Sequence, residues 1–118
     1  MRYALLIYAD DAQWTALPEA ERLRQRREQI PGWEAVAGEL AKVDPEFAGF
    51  ELEPRSEAKV VRLREGQRLV TDGPFAETKE VIGGAFTAEL PDLDEAIRLS
   101  ALVPAARYGS VEIRPLVG

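Results

Sequence analysis

The sequence predicts an α+β domain in which two helices cover one face of an antiparallel sheet. Short segments show the alternating apolar pattern of strands, and two longer ones show the apolar spacing of amphipathic helices. Their order along the chain is β-α-β, a β-hairpin, then β-α-β, which is typical of a ferredoxin-like sandwich. With 118 residues and no repeat or linker, the chain is expected to form a single domain over residues 1–118.

The first strand and the turn after it come from "RYALLIY", residues 2–8, and the residues that follow. The segment is β-rich and almost wholly apolar, so it predicts a central strand covered on both faces. Asp10, Asp11 and Gln13 then predict a polar turn beside Trp14.

The first helical region begins near Pro18, a residue that suits the first turn of a helix. Pro31 and Gly32 interrupt the region, so we expect a kink or a restart there. Asp44 and Pro45 end it. Beyond the interruption, the apolar positions with helical spacing are Trp33, Val36, Ala37, Leu40 and Val43.

The middle of the chain predicts an irregular extended piece at residues 47–54 and then a β-hairpin. In "VVRLREGQRLVT" apolar residues alternate with arginine, and Glu65 and Gly66 form a two-residue loop. Another strand follows at residues 81–90, where a Gly-Gly pair predicts a bulge or a close backbone approach.

The last helix and strand have clear signals at their ends. Asp92 can cap the helix, and Pro104 closes it. In the strand at residues 109–117, Val111 and Ile113 lie on one side and charged residues on the other.

The composition argues against a nucleic-acid partner. Twenty-one acidic residues outnumber fifteen basic ones, for a net charge of −6. A DNA or RNA surface needs clustered Lys and Arg. The one basic cluster, residues 22–27, has acidic neighbours on both sides, so we interpret it as a solvated helix face.

The chain has no Cys and no His, which excludes several kinds of site. Disulfides, thiol nucleophiles and zinc–thiolate centres need Cys, and the commonest general base and metal ligand is His. Acid–base chemistry would fall to carboxylates, Lys or Tyr. We therefore predict no cofactor and no metal, although a carboxylate-only site for magnesium or calcium stays open.

The opening apolar run is too short for a signal peptide or a membrane span, and it breaks at Asp10. The cytoplasm is the expected location, and no membrane partner is expected.

The apolar surface of the predicted sheet exceeds what two helices can cover. Residues 2–8 are apolar on both faces, and residues 85–90 alternate in a similar way. Burying one Leu, Ile or Phe side chain stabilises a fold by roughly 1.5–3 kcal/mol, so several left in water would forfeit a large gain. We therefore expect a homodimer in which a second copy covers the open sheet.

The loop "TDGPFAETKE", residues 71–80, is either a working site or a well-made turn. Asp72 opens a turn in which Gly73 can take positive φ and Pro74 fixes the next residue. In the structural interpretation Asp72 bonds downstream backbone N–H groups and Phe75 anchors the turn to the core. In the functional interpretation Asp72 is a catalytic or ligand-binding carboxylate.

The second half of the loop concentrates groups that carry charge or a proton. Glu77 and Lys79, held in a partly apolar cleft, could shift each other's pKa and act as acid and base, with Thr78 and Glu80 beside them. Lys79 could equally bind an anionic ligand as a plain charge. The alternative is a solvated charge run.

Four residues on predicted strands are further candidates. Tyr8 and Asp10 lie at the end of the first strand. Arg62 and Arg114 could clamp a carboxylate bidentately, or could form surface or intersubunit ion pairs.

The segment "LVTDGPFAETKEVIGG" resembles the signature of the DGPF-domain family, a branch of the YCII-related proteins. The likeness extends to "MRYALLIY", "LPDLDEAIRLSALVPAA" and "GSVEIRPL", nearly the whole chain. It implies a dimeric α/β barrel of the ferredoxin-like kind. Some similar proteins are encoded beside or fused to alternative sigma factors, which implies a link to that pathway and an accessory role in transcription control.

The resemblance to the wider YCII-related superfamily implies a His–Asp pair in the active site, and this chain has no His. Asp72 or Asp10 would be the surviving acid.

Three functions stay open. The first is a module that binds a small molecule or has a regulatory role, with the loop at its cleft. The second is a small enzyme that moves a proton on a polar or anionic metabolite, and the third is a purely structural domain. In the enzyme, Asp72 is the base and Lys79 or Arg114 the anion clamp.

Overall fold

A four-stranded antiparallel sheet and a separate two-stranded hairpin form the framework of the computed structural model, which describes residues 1–74 and 78–118. In chain order the elements are β1 (Arg2–Ala9), α1 (Asp11–Thr15), α2 (Glu19–Val43), β2 (Ala48–Glu51), β3 (Lys59–Arg64), β4 (Gln67–Asp72), β5 (Val81–Glu89), α3 (Leu93–Leu102) and β6 (Ser110–Pro115). The order in the large sheet is β2-β5-β1-β6, and every pair is antiparallel. The predicted α+β class is confirmed, and this order is compatible with a ferredoxin-like sandwich.

The core lies between the large sheet and the helices α2 and α3. Strand alternation turns Tyr3, Leu5 and Ile7 toward the helices, where all three are buried. Leu40 of α2 and Leu99 of α3 meet them there, fully buried. One face of the sheet is therefore closed, as the sequence predicts.

The opposite face of the sheet carries no described helix, and we call it the open face. The strand register shows which side chains lie on this face. Leu6 of β1 is paired with Ala85 of β5, and Ala85 is paired with Phe50 of β2, so these three residues lie on the open face. Phe50 is 56% exposed, and Ile82 lies on the same face beside Tyr8.

Helix α2 is longer than the sequence suggests. Of the kink or restart expected at Pro31, the restart is wrong, because the helix runs without interruption from Glu19 to Val43 with Pro31 inside it. An interior proline costs about 3 kcal/mol through its missing N–H and its clash with the preceding turn. Val36 and Leu40, both fully buried one and two turns later, offset that cost by packing on the sheet.

The polar turn predicted after β1 is instead the short helix α1. The side chain of Asp10 caps it, because Oδ1 accepts hydrogen bonds from the N–H groups of Ala12 at 3.1 Å and Gln13 at 3.3 Å. A carboxylate at this position satisfies N–H groups that the helix leaves unpaired.

The predicted hairpin is confirmed, and we call β3 and β4 together, residues 59–72, the arm. Its two-residue loop has positive φ at Glu65 (50°) and Gly66 (75°), as a type I′ turn requires. Among the described residues neither arm strand pairs with the large sheet. The bulge predicted in β5 is also confirmed, because Ile7 pairs with Gly84 while Tyr8 pairs with Ile82.

Candidate functional site: an aromatic and acidic cleft

A cleft of about 800 Å³ opens where β1 ends, on the helix side of the sheet. Elements α1, α2, β2 and β5 all contribute to it. Its aromatic lining is Trp14, Trp33, Phe50, Phe86 and Tyr108, and its charged lining is Asp10, Asp11, Arg26, Glu51 and Glu53. Apolar walls with a few polar groups are typical of small-molecule sites.

The aromatic wall is anchored in the hydrophobic core. Trp33 of α2 and Phe86 of β5 have ring centroids 6.1 Å apart at a tilt of 44°, a favourable arrangement for two aromatic rings. Both rings also pack against the buried core. The indole N–H groups of Trp14 and Trp33 form no hydrogen bond within the described part of the chain. The wall therefore offers flat apolar surface together with unused hydrogen-bond donors.

An ion pair bridges the mouth of the cleft. Arg26 of α2 donates from both terminal nitrogens to the carboxylate of Glu51 on β2, each at 3.0 Å. Both side chains are more than half exposed, so the pair contributes little to stability. Glu53 forms no hydrogen bond or salt bridge with the described residues, and its charge acts on Arg26 from a distance.

Arg55 connects the end of β1 with the loop that follows the arm. Its backbone N–H donates to Asp11 Oδ2 at 2.7 Å, and its Nε donates to Asp11 Oδ1. Its terminal nitrogens donate to the carbonyl oxygens of Thr78 at 2.7 Å and Lys79 at 2.9 Å. Asp10 Oδ1 lies 3.7 Å from the same guanidinium. Because the Arg55 side chain is only 21% exposed, this network is better shielded from solvent than the other ion pairs.

Arg55 is the residue that sequence reasoning missed. It lies within "LEPRSEA", which shows no strand or helix period and no motif. Arg62 and Arg114 were the arginines that the sequence favoured, because they lie on predicted strands. The two carboxylates and two carbonyls around Arg55 come from two stretches of chain, residues 10–11 and 78–79, that are far from Arg55 in sequence, so only the folded structure brings them together.

Asp72 and Gly73 lie at the base of the arm and are not among the described residues that line the cleft. Asp72 forms a salt bridge with Lys59 on the neighbouring strand, and its side chain is 84% exposed. The hydrogen bond and charge of Lys59 hold the pKa of Asp72 below its usual value. The expected positive φ at Gly73 is wrong. Glycine is required there because a Cβ atom would lie 2.8 Å from that of Ala58.

The described residues that follow the arm contact Arg55, next to the cleft, through their backbone. Pro74 follows Gly73 through a cis peptide bond. Phe75 and Glu77 lie outside the described residues. The hydroxyl of Thr78 donates to the carbonyl of Glu80 at 2.6 Å, and the carbonyls of Thr78 and Lys79 are those that Arg55 holds. Backbone groups rather than the side chains of Thr78 and Lys79 thus connect this loop to the Asp10–Asp11 corner.

Tyr8 and Arg114 lie on the open face, away from the cleft. The Tyr8 hydroxyl donates to Glu112 Oε1 at 3.1 Å, and Arg114 Nε lies 3.4 Å from Glu112 Oε2. Partial burial, and then the hydrogen bond to Glu112, raise the pKa of Tyr8 above its ordinary value of about 10. The singled-out residues that the structure describes therefore fall into three places, and among these described residues Asp10 alone lines the cleft.

Two further features concern residues 1–74 and 78–118. No helix there is both long and apolar enough to cross a membrane. No group of three or more acidic side chains in these ranges is arranged to hold a metal ion.

Comparison with known proteins shows what this chain is similar to. The family model for the YCII-related domain matches residues 1–118. An uncharacterized protein of Rhizobium meliloti (strain 1021) is 34% identical over 120 residues, which cover 98% of this chain and 92% of that protein.

Proposed function

The chain belongs to the YCII-related domain family, and from that premise we propose that it is a cytoplasmic homodimeric module that binds a small molecule in the aromatic and acidic cleft. The "TDGPF" segment supports a place in the DGPF branch of the family. The observation that carries the proposal is the cleft itself, about 800 Å³ in volume with an aromatic wall anchored in the core. That volume lies within the range of ordinary ligand pockets.

The charges of the lining favour one class of ligand. Asp10, Asp11, Glu51 and Glu53 contribute four carboxylates, while Arg26 is the basic residue of the lining. Arg55, next to the lining, is already occupied by Asp11 and two carbonyls. The cleft therefore repels anions, and its aromatic faces attract cations. We propose a ligand with a flat apolar part and an ammonium or other cationic group, which is received by Glu53, a carboxylate without a partner in the described part of the chain.

The contacts of Arg55 support a regulatory role. Asp11 at the cleft and the Thr78 and Lys79 carbonyls share this one guanidinium, so a ligand that displaces Asp11 also disturbs the loop. We propose that this loop reports ligand binding to a partner in sigma-factor-type transcription control. The support for that partner is the resemblance of the sequence to proteins found with alternative sigma factors.

Both tryptophans of the chain line the cleft, so intrinsic fluorescence reports on it directly. The probes are phenethylamine, a primary ammonium on an aromatic ring, and phenylacetate, its anionic counterpart. We expect a saturable change in fluorescence with phenethylamine and none with phenylacetate. Equal responses to both probes, or none to either, would contradict the proposed ligand class.

The residue that receives the cation can be tested with a matched pair of variants. Glu53→Gln removes the free carboxylate, and we expect it to weaken phenethylamine binding by about tenfold or more, since hydrogen bonds to charged groups contribute about 1.5–3 kcal/mol. Glu57→Gln is the control, because Glu57 is exposed and does not line the cleft.

A small enzyme is the alternative function, and the observation that favours it is the carboxylate of Glu53, which has no partner among residues 1–74 and 78–118. A carboxylate without a hydrogen-bond partner beside an aromatic wall is suited to accept a proton from a bound substrate. In this alternative Glu53, rather than Asp72, is the base, because Asp72 is engaged by Lys59 at the arm. NMR of a bound metabolite after long incubation separates the two functions, because an unaltered metabolite indicates a binding module and a converted one an enzyme.

A further inference from the structure

The arm exposes a continuous apolar strip. Val61 and Val70 are directly opposite each other across the two strands, and Leu63 is the next residue on the same face. They are 64%, 57% and 68% exposed. A two-stranded hairpin is marginally stable by itself and needs further strands or a packing surface. The arm is therefore an element whose packing surface lies outside the described residues of its own chain.

The charge of the arm differs in sign from that of the rest of the chain. Residues 59–72 contain four basic and two acidic side chains, a net charge of +2. Since the whole chain carries −6, the remainder carries −8. A second copy therefore presents to this arm a body of opposite charge, which favours encounter between arm and body.

The open face of the large sheet is the matching surface. Leu6, Phe50 and Ile82 contribute apolar side chains to it, and Phe50 remains 56% exposed. Glu112 stands at one margin of this face, on the outer strand β6, where it is paired with Leu6 across the ladder. The apolar centre of this face complements the Val and Leu strip of the arm, and Glu112 at its margin is paired with Arg114.

We propose that the arm of each copy packs its Val61, Leu63 and Val70 strip on the open face of a second copy. The exchange is reciprocal, because a two-fold dimer makes each contact twice. The inference rests on the proposed homodimer and names the element that forms it. Its test uses no ligand, so loss of phenethylamine binding leaves it standing.

Because the chain has no Cys, single cysteines can test the contact without background. Leu63→Cys on one copy and Phe50→Cys on another are co-expressed with different affinity tags and treated with a short bismaleimide. We expect a mixed covalent dimer. The matched control replaces Leu63→Cys by Leu23→Cys, since Leu23 is also about half exposed but lies on α2.

Each outcome of this cross-linking experiment either supports or overturns the inference. Cross-linking through position 63 well above that through position 23 supports it. Equal yields in a protein that light scattering shows to be dimeric mean that the second copy sits elsewhere. A monomeric protein overturns both the homodimer and the exchange of arms.

A charge in the strip gives an independent test. We expect Leu63→Glu to raise the dimer dissociation constant by at least about tenfold, because it places a carboxylate in an apolar contact that occurs twice. Leu23→Glu should leave the constant unchanged. Far-UV circular dichroism confirms that both variants are folded, and an unchanged constant in a folded Leu63→Glu protein contradicts the inference.

Discussion

Leu5 of β1 and Leu63 of β3 are the same residue type on strands of one chain, yet Leu5 is 0% exposed and Leu63 is 68% exposed. The large sheet has two helices packed on one of its faces, and the arm has nothing packed on its apolar strip within the described residues. The comparison shows that alternation of apolar residues predicts a strand but not the layer that covers it. In the large sheet the cover comes from the same chain, and we propose that for the arm it comes from a second copy.

The largest effect on the free energy of unfolding is expected from truncation of Leu5, and truncation of Leu63 is its comparison. Leu5→Ala should lower the free energy of unfolding by about 2–5 kcal/mol, because it leaves a cavity in the closed core. Leu63→Ala should change the free energy of unfolding of the dissociated monomer by less than about 0.5 kcal/mol, as an exposed substitution does. Urea titration at low protein concentration measures both. Equal losses in the two variants would remove the distinction between sheet and arm.

The next effect concerns Arg55, which joins the cleft to the loop. Arg55→Ala leaves the largely shielded carboxylate of Asp11 without its partner and releases the Thr78 and Lys79 carbonyls, so we expect a loss of about 1–3 kcal/mol. Hydrogen exchange of the amides at residues 78–80 should become faster. Arg64→Ala is the control, since Arg64 is exposed and its recorded hydrogen bond is to the adjacent Leu63 carbonyl. Slow exchange at residues 78–80 in Arg55→Ala would contradict the role of this residue.

A smaller effect is expected from acid. Hydrogen bonds from the backbone N–H groups of Glu89, first, and Glu46 hold the pKa of Asp44 below its usual value. A carboxyl with a lowered folded pKa stabilises the fold above its unfolded pKa, near 4, and this contribution is lost as the pH falls below it. Thermal melts from pH 6 down to pH 3 should show that Asp44→Asn is less stable than the wild type at pH 6 and that the difference narrows toward pH 3. A difference that stays constant over this range would contradict the assignment.

The smallest effect is expected from substitution of Asp72 at the base of the arm. Asp72 is exposed, paired with Lys59 and not among the described residues that line the cleft. Asp72→Asn should therefore change neither the melting temperature nor phenethylamine binding to a measurable extent. Binding lost in this variant would return Asp72 to the site and favour the functional interpretation of the loop.

Local signals gave the right answer where the structure depends on neighbours in sequence. The Glu65–Gly66 turn, the Asp92 cap, whose Oδ1 accepts from the Glu95 N–H at 2.8 Å, and the bulge in β5 were all predictable. Each depends on the conformational preference of one or two residues, and the sequence shows which residues these are.

The errors lie where distant contacts decide. Pro31 stays inside α2 because Val36 and Leu40 pack on the sheet, and Gly73 is needed because Ala58 lies against it. Arg55 and the wall of Trp33 and Phe86 are assembled by the fold from separate segments. The cleft could therefore not be predicted from the sequence, although Asp10 was placed correctly at the end of β1.

The central claim is that a second copy supplies the layer that the arm and the open face lack in the single chain. Sedimentation velocity of the unmodified protein over a range of micromolar concentrations tests it most directly. We predict a single species of twice the 13.1 kDa chain mass that dissociates when Leu63→Glu is introduced. A species of 13.1 kDa at every concentration would contradict the account.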